Sequence, residues 1–222
     1  MDGTSFFSGV LKIIIIDLVL SGDNAVVIGM AAHRLEPVQR RFAIVFGGAA
    51  AIVLRIVLTA IAAFLLRIPV LQLAGGLLLV WISFRLLKKE EESHEGIKVA
   101  ASMREAIVTI LLADLIMSLD NVLSVAAASD GHFGLLMFGL ILSMAILMFM
   151  GSLVANLINR FWWLAYVGAG IIAWTGAEMI FEDHWVLAHL GSVSEIVQYT
   201  VAVVVTLVTL AFAHWYHRMR EA

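Results

Sequence analysis

Seven stretches of this sequence stay apolar for close to the length that crosses a lipid bilayer: 7–32, 42–66, 68–87, 104–129, 133–158, 161–181 and 195–216. A helix needs about 20 predominantly apolar residues to span the hydrocarbon core. A chain of 222 residues with seven such stretches has no length left for a sizeable water-soluble domain. The expected fold is therefore all-α, one integral membrane domain over 1–222 with seven transmembrane helices. Composition agrees, with 62% hydrophobic and 14% charged residues, against roughly 45–50% and about 25% in soluble proteins. The N-terminus has an acidic residue and no basic region ahead of its apolar run, so the first span reads as part of the mature protein rather than as a removable signal.

Charge and cysteine content narrow the chemistry. The formal net charge of −3 supplies no basic field for nucleic acid, which is dropped as a partner. With no cysteine, thiolate metal sites and iron–sulfur clusters are excluded, and any metal must be held by oxygen or imidazole. No phosphate-binding loop is present, so this chain does not hydrolyse ATP by itself, and no prosthetic group is implied.

Lysine and arginine fall unevenly between the breaks. Eleven of the 14 lie in the first, third and fifth connections, at the span ends beside them, and at the C-terminus. Arg67 alone lies on the other side, and Lys12 and Arg55 fall inside spans. Basic residues stay in the cytoplasm. The N-terminus is therefore expected outside, and the C-terminus and the charged connection 88–103, containing KKEEESHEGIK, in the cytoplasm of a bacterial-type inner membrane.

An internal repeat sets the expected architecture. DLVLSGDNAVVIGMAA at 17–32 aligns with DLIMSLDNVLSVAAAS at 114–129, and beyond the next connection Arg67, Gly75 and Trp81 align with Arg160, Gly168 and Trp174. Each half is three spans, repeat one over 7–87 and repeat two over 104–181, with the helix at 195–216 outside the repeat. Because three is odd, the second half enters the membrane in the opposite sense, an inverted-topology repeat.

The candidate site follows from the duplicated element. Asp17, Asp23, Asp114 and Asp120 lie near the middles of the first and fourth spans, where an ionised carboxylate costs about 2.5–3.5 kcal/mol. At 100° per residue, Asp17, Ser21 and Asn24 share one helical face, as do Asp114, Ser118 and Asn121, while Asp23 and Asp120 lie about 120° away. Either those two acids face other neighbours or the helices are locally unwound. Brought together, carboxylates, hydroxyls and amide carbonyls make a site for one hard divalent cation. The plainer alternative is that they only tie two helices together by hydrogen bonds. Arg55, in mid-span, needs a counter-charge among the aspartates. Lys12 is expected to snorkel, Glu178 to be either a solvated span-end residue or an exit-path ligand, Trp162, Trp163, Trp185 and Trp215 to form interfacial belts, and the span glycines to serve packing.

The duplicated D-L-x-x-S-x-D-N element and the six-plus-one arrangement resemble the TerC family of integral membrane proteins, in its small seven-helix branch, within a wider group related to LysE-type exporters. That resemblance spans the whole chain and implies a secondary transporter, not an enzyme, exporting a divalent cation, foremost Mn2+. It carries the family's acidic transport positions onto Asp17, Asp23, Asp114 and Asp120, with Asn24 and Asn121 beside them. Beside the cation substrate that the resemblance implies, the apolar spans imply the lipid bilayer as a partner, close like-charged carboxylates suit exchange with protons, and a homo-oligomer stays open. Two other classes compete: an exporter of a cationic amino acid or other small solute, and an intramembrane aspartyl hydrolase, which lacks a Gly-x-Gly-Asp element here.

Overall fold

The computed structural model describes residues 3–65, 68, 70–94, 102–128, 132–190 and 194–221. It is all-helical among these residues: α1 (Gly3–Ala32), α2 (Pro37–Leu65), α3 (Leu71–His94), α4 (Met103–Ala128), α5 (Phe133–Arg160), α6 (Leu164–Glu182), α7 (His184–Leu190) and α8 (Glu195–Glu221). Among the described residues six helices, α1, α2, α3, α5, α6 and α8, are long and apolar enough to cross a membrane. The expected span at 104–129 coincides with α4, a helix of 26 residues whose side chains at 120 and 122–128 lie outside the described residues. Of the basic residues that set orientation, Arg67, Lys89, Lys98, Arg218 and Arg220 also lie outside them, wholly or in their side chains.

Several helix boundaries, and one whole helix, differ from expectation. Helix α2 starts at Pro37 rather than 42, because proline's fixed φ and missing N–H suit the first helical position. Helix α3 continues to His94, through part of the stretch read as a charged connection, since lysine and glutamate are good helix formers. Helix α7 was not expected: its seven residues are too short to stand out as a periodic run.

The chain divides into two compact units, Met1–Arg67 with Met103–Asn156, and Ile68–Ser102 with Leu157–Ala222. In the first, α5 runs parallel to α1, Gly9 and Ile13 meeting Leu135 and Gly139, and Ile28 and Gly29 meeting Gly151 and Val154. Helix α4 is antiparallel to α1, because Asn121 bonds at Leu20 and Asn24 at Asp114, and parallel to α2, because Gly47 meets Ile110 and Arg55 meets Ser118. Small residues let these backbones approach, as Ala25 and Ala51 do in a core with Met144 and Leu147. Where α1 ends, Arg40 Nη2 donates to the carbonyls of His33 and Leu35 at 3.0 and 3.3 Å, and Nη1 to Asn156 of α5 at 2.8 Å.

In the second unit α3 and α6 cross where Gly76 and Gly176 bring backbone against backbone. They run antiparallel, Leu73 bonding Asp183 and Ser83 bonding Ala169. Helix α8 packs on both, Trp174 stacking on Tyr199 and Phe84 meeting Phe212.

Polarity is distributed as in a bilayer. Large apolar side chains such as Phe7, Val19 and Ile196 are 70–78% exposed, while Asp17, Ser21, Asn24, Arg55, Asp114, Ser118 and Ser143 are all buried in the first unit. Lipid accepts the apolar outside, and the polar groups must satisfy one another inside. Lys12 and Glu178 are exposed, and Trp162, Trp163, Trp185 and Trp215 each expose about half their surface.

Candidate functional site

The site is built on α1, α2, α4 and α5 of the first unit. In α1 the helical path breaks at Ser21, where φ is −118° and ψ 15°. This is the local distortion that one of the two sequence readings allowed, and it sits beside Gly22 in the first copy of the repeated element. Asn121 of α4 reaches the break, its Nδ2 donating to the Leu20 carbonyl at 3.1 Å and to Ser21 Oγ at 3.3 Å.

Arg55 of α2 forms the hub. Its Nη1 donates to Asp17 Oδ1 and its Nη2 to Asp114 Oδ1, each at 2.6 Å. Its Nε donates to Ser118 Oγ at 3.0 Å, and Nη1 also to Ser21 Oγ at 3.3 Å. One guanidinium thus joins one aspartate and one serine from each copy of the element. Its planar fork of donors can serve both sides at once, which a lysine ammonium could not do in this geometry. The side chains of Arg55, Asp17 and Asp114 are 4%, 0% and 3% exposed, so all three charges are stabilised by one another and not by solvent.

Further donors complete the carboxylates. Ser21 Oγ donates to Asp17 Oδ1 at 3.2 Å, Ser143 Oγ of α5 to Asp17 Oδ2 at 2.6 Å, and Asn24 Nδ2 to Asp114 Oδ1 at 3.0 Å. Two oxygens of this pair are left over: among the described residues Asp114 Oδ2 and Asn24 Oδ1 are buried with no hydrogen-bond donor. Both are acceptors, so their deficit is of the kind that a cation or a donor would fill. Turning the Asn24 amide over would set its oxygen against the Asp114 carboxylate, which fixes the assignment of its two ends.

Eight of the nine residues singled out from the sequence can be placed. Asp17, Ser21, Asn24, Arg55, Asp114 and Ser118 form one connected network, and Asn121 closes its edge. Asp23 is half-buried, one step round the helix from that face, and still within electrostatic reach of Arg55. The backbone of Asp120 lies in α4, and its side chain lies outside the described residues. Among the described residues no three acidic or imidazole groups are grouped to hold a metal ion. Of the four aspartates, Asp17 and Asp114 are joined through Arg55, which stands between them.

Ser143 was missed. It interrupts the apolar run GLILSMAIL, but the aligned residue of the first repeat is Ala50, so duplication did not mark it. Outside the network Asp183, which follows the apolar run 161–181 in the sequence, is buried and binds the starts of two helices.

Comparison with known proteins places this geometry in context. The profile of the integral membrane protein TerC family matches residues 2–221. The chain is 45% identical over 179 residues to the uncharacterized membrane protein YjbE of Bacillus subtilis strain 168, covering 80% of this chain and 81% of that protein. It is 26% identical over 186 residues to the UPF0053 inner membrane protein YgdQ of Escherichia coli strain K12, covering 76% and 78% of the two chains. It is also 26% identical over 199 residues to the uncharacterized membrane protein YkoY of Bacillus subtilis strain 168, covering 81% of this chain and 60% of the relative. No solved structure is significantly similar to it.

Proposed function

Because the chain belongs to the TerC family of integral membrane proteins, we propose that this multi-pass membrane protein is a secondary transporter exporting a divalent cation, Mn2+. The observation that carries this is the meeting, inside the first unit, of the two copies of the D-L-x-x-S-x-D-N element through buried, oppositely charged groups. Charge in hydrocarbon is costly and marks ion pathways. Two oxygens without donors on the Asn24–Asp114 pair add the acceptor chemistry that a hard cation seeks. With all four aspartates ionised and Arg55 charged the site carries −3, which a divalent ion reduces to −1. Protons exchanged against the ion are part of the same proposal, since neighbouring carboxylates favour protonation of one another.

The proposed architecture is seven spans in two inverted three-helix repeats plus α8. It is supported by direction: α5 runs parallel to α1. Between two parallel spans the chain must cross the membrane an odd number of times, which α2, α3 and α4 satisfy only if α4 is itself a span. Each unit also takes matching helices from both repeats, α1, α2, α4 and most of α5 in one and α3 with α6 in the other. The N-terminus is proposed outside and the C-terminus in the cytoplasm, by the basic asymmetry. A hydrolase is disfavoured, because an aspartyl dyad shares a proton between two carboxylates, whereas Asp17 and Asp114 share a guanidinium.

The test is Mn2+ efflux from loaded proteoliposomes. Single Asp→Asn changes at 17, 23, 114 and 120 are expected to reduce efflux strongly while the protein still inserts. Wild-type efflux from all four variants would make the aspartates structural and remove the transport mechanism.

A further inference from the structure

We propose that Arg55 is a tethered substitute for the transported cation: its guanidinium occupies Asp17 and Asp114 when the site is empty and withdraws when the ion enters. This rests on the divalent-cation reading above and concerns how that site is emptied and refilled.

Three observations lead to it. First, the guanidinium is divided between two carboxylates, at 2.6 Å each, one from each copy of the duplicated element. A purely structural ion pair needs one acid per base. Here one cation holds two anions together, as a bound divalent ion would. Second, the network is short of positive charge and of donors at the same edge: Asp114 Oδ2 and Asn24 Oδ1 belong to a directly bonded pair and, among the described residues, both are buried without a donor. An incoming cation has open oxygens to meet before any existing bond breaks. Third, the guanidinium and a divalent ion cannot share the carboxylates. Asp17 and Asp114 are 0% and 3% exposed, and like charges that close in a low dielectric repel strongly. As the ion completes its shell, the Asp17 and Asp114 oxygens must pass from guanidinium to metal. The flexible stem of arginine lets its head group move while its backbone stays in α2.

The consequence is a carrier whose two central carboxylates are never left bare. Without the ion, Arg55 neutralises one charge of the Asp17–Asp114 pair and bridges both residues, so exchanged protons are needed only for the negative charge that remains. With the ion, Arg55 is released. The cation's apparent affinity is lowered by the fraction of sites that Arg55 holds, which favours release.

The full-length protein, purified and reconstituted, tests this with Mn2+ alone as the probe. Equilibrium Mn2+ binding, net Mn2+ efflux and Mn2+/Mn2+ exchange are measured for wild type, Arg55→Met, Arg55→Lys and Asp17→Asn. Arg55→Met is expected to bind Mn2+ on the order of tenfold more tightly, to keep Mn2+/Mn2+ exchange and to lose net efflux, because only the empty return needs the substitute. Arg55→Lys keeps the charge but not the two-sided fork, and is expected to tighten binding by a smaller factor. If Arg55→Met does not fold, the Lys variant carries the test by the same criterion. Binding equal to or weaker than wild type in the folded Arg55 variants, with loss in Asp17→Asn, overturns the substitute and leaves the cation reading standing. Absence of Mn2+ binding in every protein, wild type included, overturns both.

Discussion

Asp17 is fully enclosed, and its oxygens are divided between three donors: Oδ1 takes Arg55 and Ser21, and Oδ2 takes Ser143. A hydroxyl bonded to an ionised carboxylate contributes about 1.5–3 kcal/mol when water cannot replace it. Ser143→Ala is therefore expected to lower the thermal stability of the purified protein by about that amount, and to weaken Mn2+ binding less than Asp17→Asn does, because the anion remains. Melting in detergent and equilibrium binding check it, and an unchanged melting midpoint would show that Oδ2 does not depend on the hydroxyl. Legibility divided by residue type at this scale. An arginine in mid-span is conspicuous because its charge cannot be lost, and it demanded an acid. A serine in a span is ordinary, because its hydroxyl can bond its own helix backbone, so nothing in one sequence separates Ser143 from Thr209, which donates to Val205 within α8.

Helix ends and helix crossings gave less warning than helix interiors. Asp183 accepts the N–H of Leu73 in the first turn of α3 at 3.1 Å and those of Trp185 and Val186 in the first turn of α7 at 2.8 and 3.3 Å. Burial pushes its carboxyl up, and the backbone N–H bonds from Leu73, Trp185, Val186 and Gln72 outweigh this and hold it below the usual carboxylate range. Its folded pKa lies below its unfolded one, so its stabilisation is complete above about pH 4 and fades as pH falls through the folded value. Asp183→Ala is expected to cost about 1–2 kcal/mol at neutral pH, and to flatten the acid side of a plot of melting temperature against pH. An unaltered acid limb would locate that sensitivity elsewhere. The α3–α6 crossing has a similar single-atom dependence. A Cβ on Gly176 would stand 2.7 Å from the Gly76 carbonyl oxygen, too close for backbone to yield cheaply. Gly176→Ala is expected to cost about 1–3 kcal/mol through overpacking. Gly134→Ala, with nothing among the described residues within 4 Å of the added carbon, should leave stability unchanged or slightly raised. Equal melting temperatures for the two variants would count against the close crossing. Both glycines sit in ordinary-looking apolar runs, and only the partner helix gives them different weight.

For the molecule as a whole, the parallel course of α1 and α5 and the eleven-to-one basic asymmetry make one topology the expected outcome. Reporter fusions after residues 95 and 131 should report opposite sides, the first cytoplasmic, with a fusion after 222 cytoplasmic as well. Reporters at 95 and 131 on the same side would remove α4 as a span and the inverted repeat with it. The all-helical membrane character, the positions of the long helices, the six polar residues at the centre of the network and the need for Arg55 to find an acid were all legible in the sequence. Each follows from a cost that lipid imposes locally: unsatisfied backbone forces helices, and charge in hydrocarbon forces pairing. Other features depended on where the helices sit against one another. That Arg55 takes Asp17 and Asp114 and so separates them, that Ser143 completes Asp17, that α1 breaks at Ser21 where Asn121 reaches in, and that Asp183 starts two helices were decided by tertiary structure alone. The physical reason is that a hydrogen bond is set within about 3 Å, whereas helical periodicity gives only the face a residue occupies and not which neighbour lies across from it.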